Sequence, residues 1–150
     1  MPMTLMDAKE YDEAGARRRK FRIVTIIGTL LVLGFLAYQF RFWPEEHLVD
    51  KFFSALQRKD YETAYAIYRA DPEWKQHAQQ HADYPYNDFY RDWGPGGEWG
   101  LVKSYKLYAS GECPHGGSGV VVEVIVNDRH EHEQLYVQKK EKTFSPSPCS

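Results

Sequence analysis

The sequence predicts an α+β protein, in which a single N-terminal transmembrane helix precedes a domain of two or three helices packed on an antiparallel sheet. Three observations predict this class. An uncharged apolar run occupies residues 23–40 of the 150-residue chain. Apolar side chains then recur at three- and four-residue spacing as far as residue 68, which is typical of amphipathic helices. Between residues 101 and 139 the pattern changes to alternation and β-branched residues, which is typical of strands.

Composition and charge argue against several classes of protein. Hydrophobic residues make up 43% of the chain, yet its mean hydropathy is -0.62, so the apolar residues are unevenly distributed. This distribution excludes collagen, coiled-coil rods, a wholly disordered chain and a multi-span transporter. The formal net charge of -2 argues against nucleic acid as a partner, because neutralising phosphates requires a surplus of lysine and arginine.

The apolar run has the length of a membrane span. The segment IVTIIGTLLVLGFLAYQF would extend about 27 Å as a helix, close to the thickness of the hydrocarbon core of a bilayer. Phe42 and Trp43 follow it, where aromatic rings favour the level of the lipid headgroups. We therefore predict one transmembrane helix over residues 23–43.

The charges on the two flanks predict the orientation of this helix. On the far flank, Arg41 is followed by Glu45 and Glu46. The near flank carries the topology determinants, the cations Arg17, Arg18, Arg19, Lys20 and Arg22. By the positive-inside rule, residues 1–22 form a cytoplasmic basic tail and residues 44–150 form an exported domain. The lipid bilayer is thus the first predicted partner.

Two other interpretations of the apolar run stay open from the sequence. A buried core helix can be apolar all round, but it seldom carries a cluster of cations on one flank. A cleaved signal peptide is the stronger alternative. Against it, the polar leader is long, no small-x-small cleavage site follows Phe40, and no cysteine for lipoprotein processing follows the run. We keep the uncleaved signal anchor.

The first half of the exported domain predicts three helices. Pro44 suits the first turn of a helix, and its apolar face comprises Leu48, Val49, Phe52, Phe53 and Leu56. Asp60 can cap a second helix, antiparallel to the first, whose repeating residues are Tyr61, Ala64, Tyr65 and Tyr68. Asp71 and Pro72 form a similar start for a third, more polar helix in EWKQHAQQHAD.

The second half predicts a sheet. A short aromatic segment, YPYNDFYRDWG, is followed by glycines at 94, 96, 97 and 100, which break regular structure. LVKSYKLYA, GVVVEVIV and EQLYVQK then predict three strands of a meander, joined by HGGSG and NDRHE. The closing TFSPSPCS carries two prolines, which bar it from a central position in the sheet.

The helical hairpin VDKFFSALQRKDYETAYAIY, the aromatic loop and the β-rich tail follow one another in an order that resembles a known superfamily. It is the nuclear transport factor 2-like, or ketosteroid-isomerase-like, cone fold, and the resemblance covers roughly residues 45–145. The DFYRDWGP segment and the proline-cysteine tail resemble small bacterial membrane-anchored members of unassigned function. The resemblance implies a cone-like domain over residues 44–150, facing the periplasm from the inner membrane. Members usually have four or more strands, and they often form homodimers through the exposed sheet face.

Cys113 and Cys149 are the two cysteines of the chain, and both lie on the predicted exported side. Thiols are readily oxidised there, so we predict that the two form a disulfide. Unpaired cysteines and an intermolecular bridge stay open as alternatives, because the sequence alone does not show proximity. A redox-active pair is not expected without a C-x-x-C spacing.

The aromatic segment and its flank supply the candidate pocket. Six aromatic residues are interpreted as core and cone-mouth packing, or alternatively as the lining of a ligand pocket: Tyr84, Tyr86, Phe89, Tyr90, Trp93 and Trp99. His77 and His81 are four apart on the predicted third helix and could reach one metal, although a solvated polar face is the favoured interpretation. No position matches a catalytic motif of the resembled family. We therefore predict no catalytic residue, cofactor or metal.

These features predict a membrane-anchored periplasmic interaction or ligand-binding module without catalysis. The domain follows the anchor closely, so its expected partners are membrane or envelope proteins, and a homodimer is expected by analogy alone. One alternative is a small-molecule carrier or isomerase-like enzyme that uses the aromatic cone. A cavity of several hundred Å³ with a buried carboxylate of raised pKa would favour it. A second alternative is an accessory subunit of a larger membrane complex.

Overall fold

The computed structural model describes residues 11–149, and the chain divides after Arg41 into two compact units. The first unit contains α1, Glu13–Gln39, which begins after Asp12 accepts a hydrogen bond from the Gly15 amide at 2.9 Å. Its 27 residues correspond to about 40 Å of helix. Within the described chain it is the one helix that could span a membrane by length and composition.

The helix α1 extends beyond the predicted span at its beginning. Residues 13–22 of the predicted basic tail are helical, since alanine, arginine, lysine and glutamate are strong helix formers. Residues 1–10 of that tail lie outside the described residues. The helix ends at Gln39, and a turn precedes the second unit.

The second unit opens with the predicted helical hairpin. The helices α2, Trp43–Gln57, and α3, Tyr61–Arg69, pack against each other and are joined by a short link. Lys59 in that link has φ of 61°, and Asp60 caps α3 by accepting from the Thr63 amide at 3.2 Å. Pro44 lies in the first turn of α2, where its missing N–H costs nothing.

The predicted third helix is wrong. The chain after Asp71 forms turns, and only Ala78–His81 winds into a short 3-10 helix. His77 and His81 both bond back to Oδ2 of Asp71, whereas a continuous helix would carry residue 81 about 15 Å away from residue 71. Trp74 is drawn towards Tyr65, with ring centroids 4.9 Å apart, so packing also opposes a continuous helix.

The aromatic segment, for which no helix is predicted, is helical. It forms α4, Tyr86–Trp93, directly after Pro85. Its aromatic residues at 86, 89, 90 and 93 follow the three- and four-residue spacing of a helix face. Phe89 on that face is fully buried, so α4 belongs to the core.

The sheet has four antiparallel strands in chain order, one more than predicted. They are β1, Tyr105–Gly111, β2, Gly119–Val126, β3, His132–Gln138, and β4, Phe144–Pro146. The fourth lies at an edge, the position that its proline permits. The strand β1 starts at Tyr105, later than predicted, because the preceding residues are held by hydrogen bonds to Asn127 instead.

The helices cover one face of the sheet, which confirms the α+β class. Alternate residues of β2 point to that face and are fully buried: Val120, Val122, Val124 and Val126. They meet Phe52 and Phe53 of α2 in a single core cluster. Burial of these apolar faces stabilises the domain, since each such side chain contributes about 1.5–3 kcal/mol.

The two cysteines lie at disulfide distance, as predicted. The Cα atoms of Cys113 and Cys149 are 5.4 Å apart. Cys113 follows β1 at one edge of the sheet, whereas Cys149 follows β4 at the opposite edge. Residues 147–149 therefore cross the sheet, and Cys149 lies beside Val121 and Glu123 on the face away from the helices. We call residues 147–149 the tail strap.

Candidate functional site

A cavity of about 440 Å³ opens at one end of the domain. It lies between the end of α3, the helix α4, the loop that follows α4, the strand β3 and the edge strand β4. Its size falls within the range of small-molecule sites. Its lining consists of Tyr68, Arg69, Asp83, Tyr84, Asp92, Trp93, Glu98, Trp99, Glu133, Leu135, Phe144, Ser145 and Pro146.

Aromatic rings form the apolar floor of this cavity. Trp93 of α4 and Phe144 of β4 pack on the buried ring of Phe52, at centroid distances of 5.0 and 5.3 Å. Tyr68 of α3 lies 5.9 Å from the same ring. The floor is thus fixed from behind by one core side chain, and its shape follows from the packing of three different elements.

Glu133 brings a carboxylate into the cavity from β3. It pairs with the buried Val124 of β2 and lies two residues before the buried Leu135, so its side chain points to the same, covered face of the sheet. Trp99 donates its indole N–H to Oε2 of Glu133 at 2.6 Å. Burial raises the pKa of the Glu133 carboxyl, the negative charge of Glu98 adds to this, and the Trp99 bond opposes it.

Two tyrosines supply further polar atoms. The hydroxyl of Tyr84 donates to Oδ2 of Asp92 at 2.9 Å. Burial and this bond raise the pKa of Tyr84, and burial raises the pKa of Tyr68 to about 12. Both hydroxyls therefore stay protonated at neutral pH and keep a proton that they can donate in a hydrogen bond.

A network of paired charges lies beside the cavity. Arg69 donates from its NH2 group to Asp83 at 2.7 Å and from Nε to Nδ1 of His81 at 3.1 Å. Because arginine only donates, Nδ1 of His81 must be unprotonated, and Nε2 donates to Asp71 at 2.8 Å. The hydrogen bond from Arg69 holds the pKa of Asp83 below its usual range.

The histidine pair therefore has a structural partner. His77 and His81 both bond to Oδ2 of Asp71, at 2.9 and 2.8 Å, and the His81 bond lowers the pKa of that carboxyl. Nδ1 of His81 is engaged by Arg69. In the stretch from residue 11 to residue 149, no group of three or more metal-ligating side chains converges.

The predicted aromatic residues divide between cavity and core. Tyr84, Trp93 and Trp99 line the cavity. Tyr86 stacks on Trp74 at 4.9 Å, Phe89 is buried among core rings, and Tyr90 packs on Tyr61 at 5.1 Å. These last three do not line the cavity, because α4 turns their side of the helix towards α3 and the turns after it.

Glu133, a carboxylate of the cavity lining, is not among the site residues predicted from the sequence. Glu133 begins the predicted strand EQLYVQK, two residues before Leu135 and four before Val137. It therefore lies on the same face of the strand as these two buried residues. An acidic residue on the apolar side of an alternating strand is the signal that identifies it, since a buried carboxylate is costly without a purpose or a partner. Tyr68 and Phe144 also line the cavity, but the sequence does not identify them as lining residues, because an aromatic residue at either position is equally expected in the core.

Comparisons with known proteins add no match to this geometry. No family model, no curated protein and no solved structure matches the chain.

Proposed function

We propose that this chain is a single-pass inner-membrane protein whose periplasmic domain binds a small organic molecule in the aromatic cavity, without chemical conversion. The carrying observation is the cavity of about 440 Å³, lined by aromatic rings and by the inward-pointing Glu133. An interaction module would be favoured by a filled cone. The open cavity favours a ligand-binding role within the same membrane-anchored setting.

The polar groups of the cavity wall favour ligand binding over proton-transfer catalysis, because they are already hydrogen-bonded to one another. Tyr84 and Trp99 direct their donors to Asp92 and Glu133. Such pairs hold side chains in fixed rotamers and so keep the cavity preorganised for a ligand. The resemblance to the cone superfamily agrees with a ligand site at this place, although it carries no catalytic residue over to this chain.

Ligand binding is testable with the full-length protein in a mild neutral detergent. A small-molecule screen should yield compounds that raise the unfolding temperature, because a ligand at 100 times its Kd adds about 2.7 kcal/mol of stability. Leu135→Trp places a larger side chain at the cavity wall and should abolish the rise. Leu101→Trp makes the same change at a half-exposed position outside the lining and should preserve it.

Two results would contradict ligand binding in this cavity. Compounds that stabilise the wild-type protein and the Leu135→Trp variant equally would place the ligand elsewhere, provided that circular dichroism shows the variant to be folded. A screen in which nothing stabilises the wild-type protein would leave the interaction module as the better account of the domain.

A second candidate, an isomerase-like enzyme, is supported by one observation. Glu133 combines a raised pKa with an apolar surround, which is the setting of a carboxylate base. The test is proton exchange: a bound compound with an acidic C–H should take up deuterium from D₂O with the wild-type protein and not with Glu133→Gln. Binding without exchange supports the non-catalytic proposal.

The cellular address is part of the proposal. The apolar α1, the cations at residues 17–22 and the cysteine pair at disulfide distance support an anchor with its N-terminus in the cytoplasm and its domain in an oxidising periplasm. Orientation depends on the cations, because Lys and Arg next to a span resist transfer across the membrane.

This orientation predicts a labelling pattern. In intact cells, a thiol reagent that cannot cross the inner membrane should label Cys113 and Cys149 only after reduction. Neutral substitutions at Arg17, Arg18, Arg19, Lys20 and Arg22 should mix the two orientations and reduce this labelling about twofold. The matched control changes the four arginines to lysine, which conserves charge and should label as wild type. Full labelling of the neutral variant would show that another determinant sets the orientation.

A further inference from the structure

Resting on the proposed ligand pocket, we infer that its ligand is an organic cation, whose ammonium group pairs with Glu133 while its apolar body lies on the aromatic rings of the floor.

The lining has more negative than positive groups. Asp83, Asp92, Glu98 and Glu133 supply carboxylates, whereas Arg69 is the one cationic side chain of the lining. Arg69 is already engaged, since it pairs with Asp83 at 2.7 Å and donates to His81. The positive charge of the lining is therefore neutralised within the wall.

Two further arginines lie near the cavity lining, and both already have partners within the protein. Arg91 is 3.2 Å from Asp88 and 3.6 Å from Asp92, so Asp92 has a cationic neighbour. Arg129 donates to the backbone carbonyls of Glu98 and Trp99 and lies against the Trp99 ring. In the described part of the chain, the carboxylates of Glu98 and Glu133 have no ion-pair partner.

Glu133 is the carboxylate best placed to bind a cation. Trp99 occupies Oε2, and within residues 11–149 no protein donor bonds to the other oxygen. Burial makes the unpaired charge costly, as the raised pKa of this carboxyl reflects. An ammonium group in the cavity would offset that cost, whereas an anion would add to it.

The remaining surface favours an organic cation over a metal ion. Metal ions need several ligands converging at about 2 Å, and the described residues contain no such group of three. The floor instead presents the rings of Tyr68, Trp93 and Phe144, whose electron-rich faces attract alkylammonium groups. Carboxylate and rings together fit a molecule with a cationic head and an apolar body.

The inference is tested with three soluble probes that share a phenyl ring and differ in charge: phenethylamine, 2-phenylethanol and phenylacetate. Their affinities for the full-length protein in neutral detergent are measured by tryptophan fluorescence, since Trp93 and Trp99 line the cavity. We expect the amine to bind about tenfold more tightly than the alcohol, in line with a charge-assisted hydrogen bond, and the acid to bind most weakly.

Glu133→Gln is the informative variant, because it keeps the shape of the side chain and removes its charge. It should weaken the amine about tenfold and change the affinity for the alcohol less than twofold. Glu141→Gln, at an exposed position outside the lining, is the matched control and should bind as wild type. Wild-type affinity for the amine should also fall as the pH drops through the raised pKa of Glu133, because protonation removes the anionic partner.

Each outcome separates the two proposals. Equal affinities for the amine and the alcohol would overturn the cation preference and leave the ligand pocket intact. An equal loss of amine and alcohol binding in Glu133→Gln would assign that residue a structural role and overturn its pairing with the ligand. Failure of all three probes, together with a screen in which nothing binds, would overturn the pocket itself and the inference with it.

Discussion

Replacing Phe52 by alanine should lower the free energy of unfolding by about 4 kcal/mol, the cost of emptying a fully buried phenylalanine site. The Phe52 ring has no exposed surface, and it contacts rings from α3, α4 and β4 as well as its neighbour Phe53. Its removal leaves a void that several elements border, and none can fill it alone. Urea unfolding of the full-length protein, followed by tryptophan fluorescence, measures the change as a midpoint lower by roughly 2 M.

The same change should also impair the cavity, because Trp93, Tyr68 and Phe144 rest on this ring. Phe52→Leu is the graded control and should cost less than half as much, since most of the volume is kept. Tyr108→Ala removes a ring that is 61% exposed on the sheet and should change stability by about 0.5 kcal/mol or less. A Phe52→Ala midpoint equal to that of Tyr108→Ala would contradict the central position assigned to Phe52.

Removing the cysteine pair should cost about 3–4 kcal/mol. The residues are 36 apart in sequence, and in the chain-entropy model a cross-link of that span restricts the unfolded chain by this amount. The Cys113→Ser, Cys149→Ser double variant should therefore unfold at a lower urea concentration than the oxidised wild-type protein. Reduction of the wild-type protein should reproduce the effect without any substitution.

The double variant and the reduced wild-type protein both lack the cross-link, so each serves as a control for the other. The reducing agent should shift the wild-type midpoint and leave the double variant unchanged, because the variant has no bond to break. Release of the tail strap should also expose the surface around Val121 to faster hydrogen exchange. If the reducing agent moved neither midpoint, the cross-link would not contribute to stability.

Local patterns predicted the parts of the fold that depend on neighbours in sequence. The α2 and α3 hairpin was predicted from the spacing of Phe52, Phe53 and Leu56, and the β2 strand from its run of valines. The predicted third helix was wrong because His77 and His81 bond back to Asp71, and a continuous helix would carry them out of reach of that carboxylate. The β4 strand was missed because its three residues gain strand geometry only from pairing with β3.

The cavity was predicted only in part, for a related reason. Aromatic residues of the 84–99 region indicated an apolar surface, and three of them do line it. Which side of α4 faces the cavity depends on how α3 and the sheet pack, and the spacing of the aromatic residues does not contain that information. Glu133 lies 34 residues from Trp99 along the chain, so their hydrogen bond could not be anticipated from either segment alone.

Asn127 shows how an irregular stretch of chain can keep a defined shape. Its side-chain oxygen accepts from the amides of Lys103 and Ser104, while its nitrogen donates to the carbonyls of Trp99 and Leu101. One side-chain amide thus fixes the backbone of residues 99–104, and all four of its hydrogen bonds are to main-chain atoms. Substitutions at 101, 103 and 104 should therefore leave these hydrogen bonds in place, whereas a substitution at 127 should release the segment that carries Trp99 into the cavity wall, although Asn127 itself is not part of the lining.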